Sequence, residues 1–201
     1  MLPTGTPFVV VLDANVLYGY PLRDTLLRAV EAGLYQAVWS YQIWNEVLRH
    51  LKNPAERRRP HTDAQAARLL STIEREFPNG FVSGYEALIP AMTNDKKDRH
   101  VAAVGVHAHA QVIVTFNLRH FPRTSLAPYT MEAQHPDEFL MNLYGIDPPT
   151  MVQLVIDQAA ALKKRTMTPQ ELLGKMEATE LKRFAHAMRG DLAHATTTAT
   201  P

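Results

Sequence analysis

The chain has 201 residues, 46% of them hydrophobic and 20% charged, with a formal net charge of +1 and no cysteine. That length and balance suit one well-filled core with a small helical appendage, and exclude a disordered polyelectrolyte. The missing cysteines exclude disulfides and thiolate metal sites, and point to a reducing compartment.

Phe8 to Leu12 is a short, β-branched-rich apolar run. Such a run suits a strand buried on both faces, as in a parallel sheet covered by helices. No Lys or Arg precedes it and Asp13 interrupts it at once, so it does not read as a secretion signal. No stretch approaches the roughly 18 apolar residues that span a bilayer. A cytoplasmic location is expected.

Arg23 to Ala32 has helical spacing and stops at Gly33. Tyr35 to Trp39 is a second strand candidate, and Ser40 can cap a helix carrying Ile43, Val47, Leu48 and Leu51 that stops before Pro54. Thr62 to Gln65 fits a capping box, with a helix continuing to Phe77. Phe81 and Val82 form a candidate short strand. Asp98 to Ala110 reads as an Ala- and Val-rich helix, slim enough to lie close on a sheet, and Gln111 to Phe116 is another β-branched strand. Alternating strands and helices imply an α/β domain with a mainly parallel sheet.

Pro136-Asp137-Glu138 opens a helix to about Tyr144. Pro149 starts another, with Lys163-Lys164-Arg165 at its end. Thr168-Pro169-Gln170-Glu171 is a capping box with Pro at the first helical position. The expected division is a domain over residues 1–146, a helical extension over 147–192, and a tail without fixed structure over 193–201.

The chemistry concentrates at predicted strand ends. Asp13 stands at the carboxyl end of a buried strand, where ligands bind in open α/β sheets. A carboxylate there is costly unless something positive meets it, although Asp13 and Asn15 also suit a helix-capping turn. Glu46 edges the buried stripe of its helix, with His50 as an i,i+4 partner on the ordinary surface reading. Asp98 falls in the first turn of the slim helix, where a carboxylate also suits the dipole. Thr115-Phe116-Asn117 emerges at the same sheet edge as Asp13 if the strands are parallel. Oxygen donors without cysteine or clustered histidine favour a hard cation such as Mg²⁺ or Mn²⁺ over zinc. His107 and His109, two apart on a helix, point to different faces. Arg49 to His61 carries five cations and one anion, Arg49, Lys52, Arg57, Arg58, Arg59 and Glu56, which suits either a local patch able to hold phosphates or a solvated, Pro-bounded loop.

These pieces, in this order, resemble the PIN-domain family, and within it the bacterial VapC-type toxins. The resemblance covers nearly all of residues 8 to 146. It rests on Leu12-Asp13-Ala14-Asn15-Val16-Leu17, on Trp39-Ser40 through Asn45-Glu46-Val47, on Asp98-Arg99-His100-Val101-Ala102-Ala103, and on Ile113-Val114-Thr115-Phe116-Asn117-Leu118 with Phe121-Pro122. It implies a three-layer α/β/α fold with a mainly parallel central sheet plus C-terminal helices, and an endoribonuclease using Mg²⁺ or Mn²⁺. Asp13, Glu46 and Asp98 become metal ligands and Asn117 the fourth polar residue. Asn15 and Ser40 become the side chains that orient those ligands. The implied substrate is RNA, which Arg49, Lys52, Arg57, Arg58 and Arg59 are expected to grip, and a cognate antitoxin and a second copy of the chain are the expected partners. His120 departs from the pattern, standing where many relatives have Asp. Asp95 is an alternative to Asp98, but Arg99-His100-Val101-Ala102-Ala103 fits the family pattern best with Asp98 in front of it.

Two other readings compete. A phosphatase of the haloacid-dehalogenase type also starts with Asp after a strand, but needs a second Asp where this chain has Asn15. An inactive PIN-like scaffold for RNA or protein is consistent with Asn117 and His120.

Overall fold

A computed structural model describes residues 8–161 and 167–197, with side chains through residue 192. In chain order the elements are β1 (Val9–Leu12), α1 (Ala14–Leu17), α2 (Tyr20–Glu31), β2 (Gln36–Val38), α3 (Tyr41–Lys52), α4 (Asp63–Glu76), α5 (Arg99–His107), β3 (Val112–Val114), α6 (Arg123–Leu126), β4 (Glu132–Gln134), α7 (Pro136–Ile146), α8 (Pro148–Ala160), α9 (Pro169–Glu177) and α10 (Lys182–Thr197), with short 3₁₀ turns between some of them.

Two compact units share these elements. The first holds residues up to Tyr18 and Tyr35–Gln134; the second holds Gly19–Leu34 and everything from His135. The expected boundary at 146/147 therefore shifts: α7 groups with the helices after it, and α2 joins them from far upstream. Periodicity announces an apolar face on α2 but not which helices will cover it. The tail expected from 193 also changes, because the backbone of α10 continues to Thr197; residues 198–201, and the Lys163-Lys164-Arg165 cluster, lie outside the described residues.

In the first unit the sheet runs β2-β1-β3-β4, every pair parallel. Val10, Val11, Leu12, Ile113 and Val114 are fully buried, as strands covered on both faces must be. The chain leaves β1 toward β2 on one side and β3 toward β4 on the other. The strand order thus reverses between β1 and β3, and a crevice opens past their carboxyl ends. Gly105 lets α5 approach closely: a β-carbon there would strike Met131 Sδ and Val11 Cγ2. The predicted strand at Phe81 is reduced to a single parallel bridge with Trp39. Trp39 and Trp44 meet edge to face at 5.7 Å and anchor α3.

The second unit is all helical. Pro21 sits at the start of α2, and Gly33, at φ +76°, lets the chain turn away after it. The fully buried Gln158 donates to the Pro21 carbonyl (2.9 Å), and its own carbonyl accepts from Thr25 (2.7 Å), tying α8 to α2. Asp137, at the start of α7, accepts the backbone N–H groups of Arg183 (3.1 Å) and Phe184 (2.9 Å), which lie in the first turn of α10. The predicted capping boxes form at both Thr62/Gln65 and Thr168/Glu171. Among the described residues no helix is long and apolar enough to cross a membrane.

Candidate metal centre

Asp13 and Asp98 occupy the same local position: each is the residue that starts a helix, α1 and α5 respectively. An aspartate there normally bonds to the second or third helical N–H. Neither of these does so. The capping explanation for Asp13 fails, while Asp98 still stands at the helix start where the dipole suits a carboxylate.

Asp13 is 3% exposed. Its Oδ2 accepts from Asn15 Nδ2 (2.6 Å) and from the Thr115 hydroxyl (2.7 Å). Thr115, fully buried at the end of β3, completes its capacity by accepting from Asn15 Nδ2 (2.9 Å) and the Asn117 N–H (3.0 Å). The Asn15 carbonyl accepts from the Phe116 N–H at 3.1 Å. Two strand ends and a helix start are thereby stitched together around one carboxylate. Burial still pushes Asp13 up from 3.8 to about 6, with the charge of Asp98 adding to the rise and the Thr115 bond opposing it.

Of the two roles expected for Ser40, the helix cap forms. Its hydroxyl accepts from the Ile43 N–H (3.2 Å), so it caps α3 and positions Glu46 only through the helix. Glu46 is pushed up from 4.5 to about 7, chiefly by burial, then by the charge of Asp13, with Asp98 contributing and Arg49 opposing. Its expected partner His50 is engaged elsewhere: it stacks on Tyr18 at 3.8 Å and contacts Glu56. Tyr18 registers the same negative region, pushed up to about 12 by burial and then by Asp13 and Glu46.

Asp98 Oδ2 lies 2.7 Å from His120 Nδ1. Arg119 Nε donates to His120 Nε2 (3.2 Å), so Nδ1 carries the proton and donates to Asp98. Asp95, exposed, accepts the Lys97 N–H in a tight turn. Asp95, Asp98 and His120 bring one ligand-type atom each within 4.8 Å of one another; among the described residues no other such triplet forms, so Asp13, Glu46 and Asp98 stand further apart. Asn117, half-buried, starts the 3₁₀ turn after β3 without capping it.

His100, read in the sequence only as part of a motif, is buried beside Glu46. It is 3% exposed, its Nδ1 bonds the Lys97 carbonyl (3.0 Å), and its Nε2 lies 3.3 Å from Glu46 Oε1 without a hydrogen bond. Its place two residues after Asp98 was visible in the sequence; its burial was not.

Of the predicted RNA-binding cations, Arg49, Arg58 and Arg59 are exposed, Arg57 is half-buried, and Lys52 pairs with Asp63 at 3.0 Å. Arg49 is close enough to Glu46 to stabilise its charge.

The charges of Asp13 and Asp98 raise the proton affinity of Glu46, and that of Asp98 raises Asp13's, so positive charge placed beside these two groups is stabilised. Oxygen donors suit Mg²⁺ or Mn²⁺, and among the described residues the group spaced to share one ion is Asp95, Asp98 and His120.

Comparison with known proteins matches the chain in two segments. A family model described as PIN domain matches residues 9–119, and one described as VapC50 C-terminal domain matches residues 136–190. A protein of Mycobacterium tuberculosis (strain ATCC 25618 / H37Rv), named "Putative ribonuclease VapC50", is 38% identical over 123 residues, covering 59% of this chain and 72% of that protein. No solved structure matches significantly.

Proposed function

Because the chain belongs to the PIN-domain family, we propose that it is a divalent-metal-dependent endoribonuclease, the toxin of a toxin–antitoxin pair. One observation carries the reading. Asp13 ends the buried strand beside the strand-order reversal without capping the helix it starts, and the charges of Asp98 on Asp13 and of both on Glu46 support a shared positive partner.

On this reading Asp13, Glu46 and Asp98 hold the ion, Mg²⁺ or Mn²⁺, and Asn117 holds the fourth polar position. When bound, such an ion stabilises charge on phosphoryl oxygens and makes water a better nucleophile. The chain's own residues do the rest. Asn15 and Thr115 fix the orientation of Asp13 through three short hydrogen bonds. His120 does the same for Asp98. Arg49, Lys52, Arg57, Arg58 and Arg59 grip the RNA backbone, trading condensed counterions for protein charge. A cognate antitoxin and a second copy of the chain complete the set of partners.

The test is cleavage of RNA by purified protein with Mg²⁺ or Mn²⁺, against the same reaction in EDTA and against Asp13→Asn. Cleavage should require the metal and vanish in the variant. Cleavage that survives both controls comes from another site or another protein. A folded, metal-binding chain that never cuts RNA is a scaffold instead.

A further inference from the structure

Tyr18 closes α1, the short helix that Asp13 starts, and so stands just over one helical turn beyond that carboxylate. α1 packs on α3. The Tyr18 ring stacks on His50, with centroids 3.8 Å apart and planes 11° from parallel. His50 follows Glu46 by four residues on α3, so the two share a face, and side chains on a helix lean back toward its N-terminus. The stack therefore sets the Tyr18 ring between the element that carries Asp13 and the one that carries Glu46.

The ring is also held from behind. His50 Nδ1 pairs with Glu56, and Glu56 accepts from Asn53 Nδ2 at 2.7 Å. Tyr18 itself is half-buried, and its hydroxyl reaches solvent with no hydrogen-bond partner among the described residues. Neighbouring donors are already spent. Asn15 gives its amide protons to Asp13 and Thr115, and the Thr115 hydroxyl goes to Asp13. The phenol is left with a proton to give: burial and the charges of Asp13 and Glu46 push its ionisation up to about 12, so it is a neutral donor at physiological pH. Cleavage of a phosphodiester builds charge on the phosphoryl oxygens. A donor already fixed in place stabilises that charge without being ordered at the moment of reaction.

Resting on the nuclease reading above, we infer that Tyr18 is a further substrate-contacting residue, its hydroxyl donating to a non-bridging oxygen of the scissile phosphate. The crevice then offers the phosphate a neutral donor beside the carboxylates of Asp13 and Glu46, and the His50 ring fixes where that donor stands.

The test compares the full chain with Tyr18→Phe in single-turnover cleavage of single-stranded RNA of mixed sequence, with Mg²⁺ or Mn²⁺ present. Two quantities are read: the rate at saturating protein, and the protein concentration that gives half of it. Phe keeps the ring and its stack, so urea unfolding should be unchanged. The saturated rate should fall roughly tenfold to a hundredfold, while half-saturation moves by less than about threefold. 4-Aminophenylalanine at position 18, which restores an N–H donor, should recover most of the rate. 4-Methoxyphenylalanine, which fills the space without a donor, should not.

A saturated rate in Tyr18→Phe equal to that of wild type overturns the inference and leaves the nuclease reading standing. A loss confined to half-saturation also overturns it, because a contact equally strong before and during reaction touches a part of the RNA that does not react. Equal rates for the amino and methoxy chains assign Tyr18 to packing alone, and that pair decides even if Tyr18→Phe is less stable. A wild-type chain that cuts no RNA removes both readings.

Discussion

Replacing Asp13 by Asn should stabilise the metal-free protein at neutral pH while abolishing metal binding. The amide oxygen can accept from Asn15 and Thr115 as Oδ2 does now, and the buried charge is gone. Burial lifts Asp13 from 3.8 to about 6, and at about 1.4 kcal/mol per tenfold change in proton affinity the charged form costs the fold about 3 kcal/mol. The folded-state value exceeds the unfolded one. Stability from the protonated form is therefore complete below pH 3.8 and is lost as pH rises through 6. Glu46, lifted to about 7, pushes the same way. Urea unfolding in EDTA at about pH 5 and about pH 8 is the assay. The wild type should weaken between the two, and the variant should weaken less and exceed it at the higher pH by up to about 3 kcal/mol, an upper bound because the amide nitrogen needs a partner. Mn²⁺ should raise wild-type stability only. A variant less stable than wild type at both pH values, with the same pH trend, would make Asp13 a structural residue and refute this reasoning.

Three further outcomes are expected. Asn15→Ala should cost about 2 kcal/mol, from the lost amide bonds to Asp13, Thr115 and Phe116, and should weaken Mn²⁺ binding by roughly tenfold to a hundredfold in calorimetry. Ser40→Ala should cost about 1 kcal/mol in urea unfolding by removing the α3 cap, yet leave metal affinity unchanged. A combined Arg57→Ser, Arg58→Ser, Arg59→Ser chain should raise KM for RNA and flatten the dependence of binding on salt by up to about two in log–log slope, with kcat preserved.

Much of this site can be read in the chain, for identifiable reasons. The run before Asp13 and the run before Thr115 are too apolar and β-branched to be anything but buried strands, so both strand ends were visible. The capping boxes at Thr62 and Thr168 depend on residues three apart and are local by nature. What escaped is non-local or weakly marked. β4 is Glu-Ala-Gln, three residues with no apolar signal, held by its bonds to β3. His100 looked like part of a helix motif, and only its burial against Glu46 reveals it. The distinction between Asp95 and Asp98 is likewise a matter of depth, one exposed and the other half-buried.

The route of α2 has a practical consequence. The chain departs at Gly19, returns at Tyr35, and departs again at His135, so a stop codon at residue 135 would not release an intact nuclease-like half. It would strand a twelve-residue amphipathic helix without the α8 that Gln158 ties to it. Leu22, Leu26 and Ala29, now buried, would face water, and the shortened product should aggregate unless residues 19–34 are spliced out with a short linker.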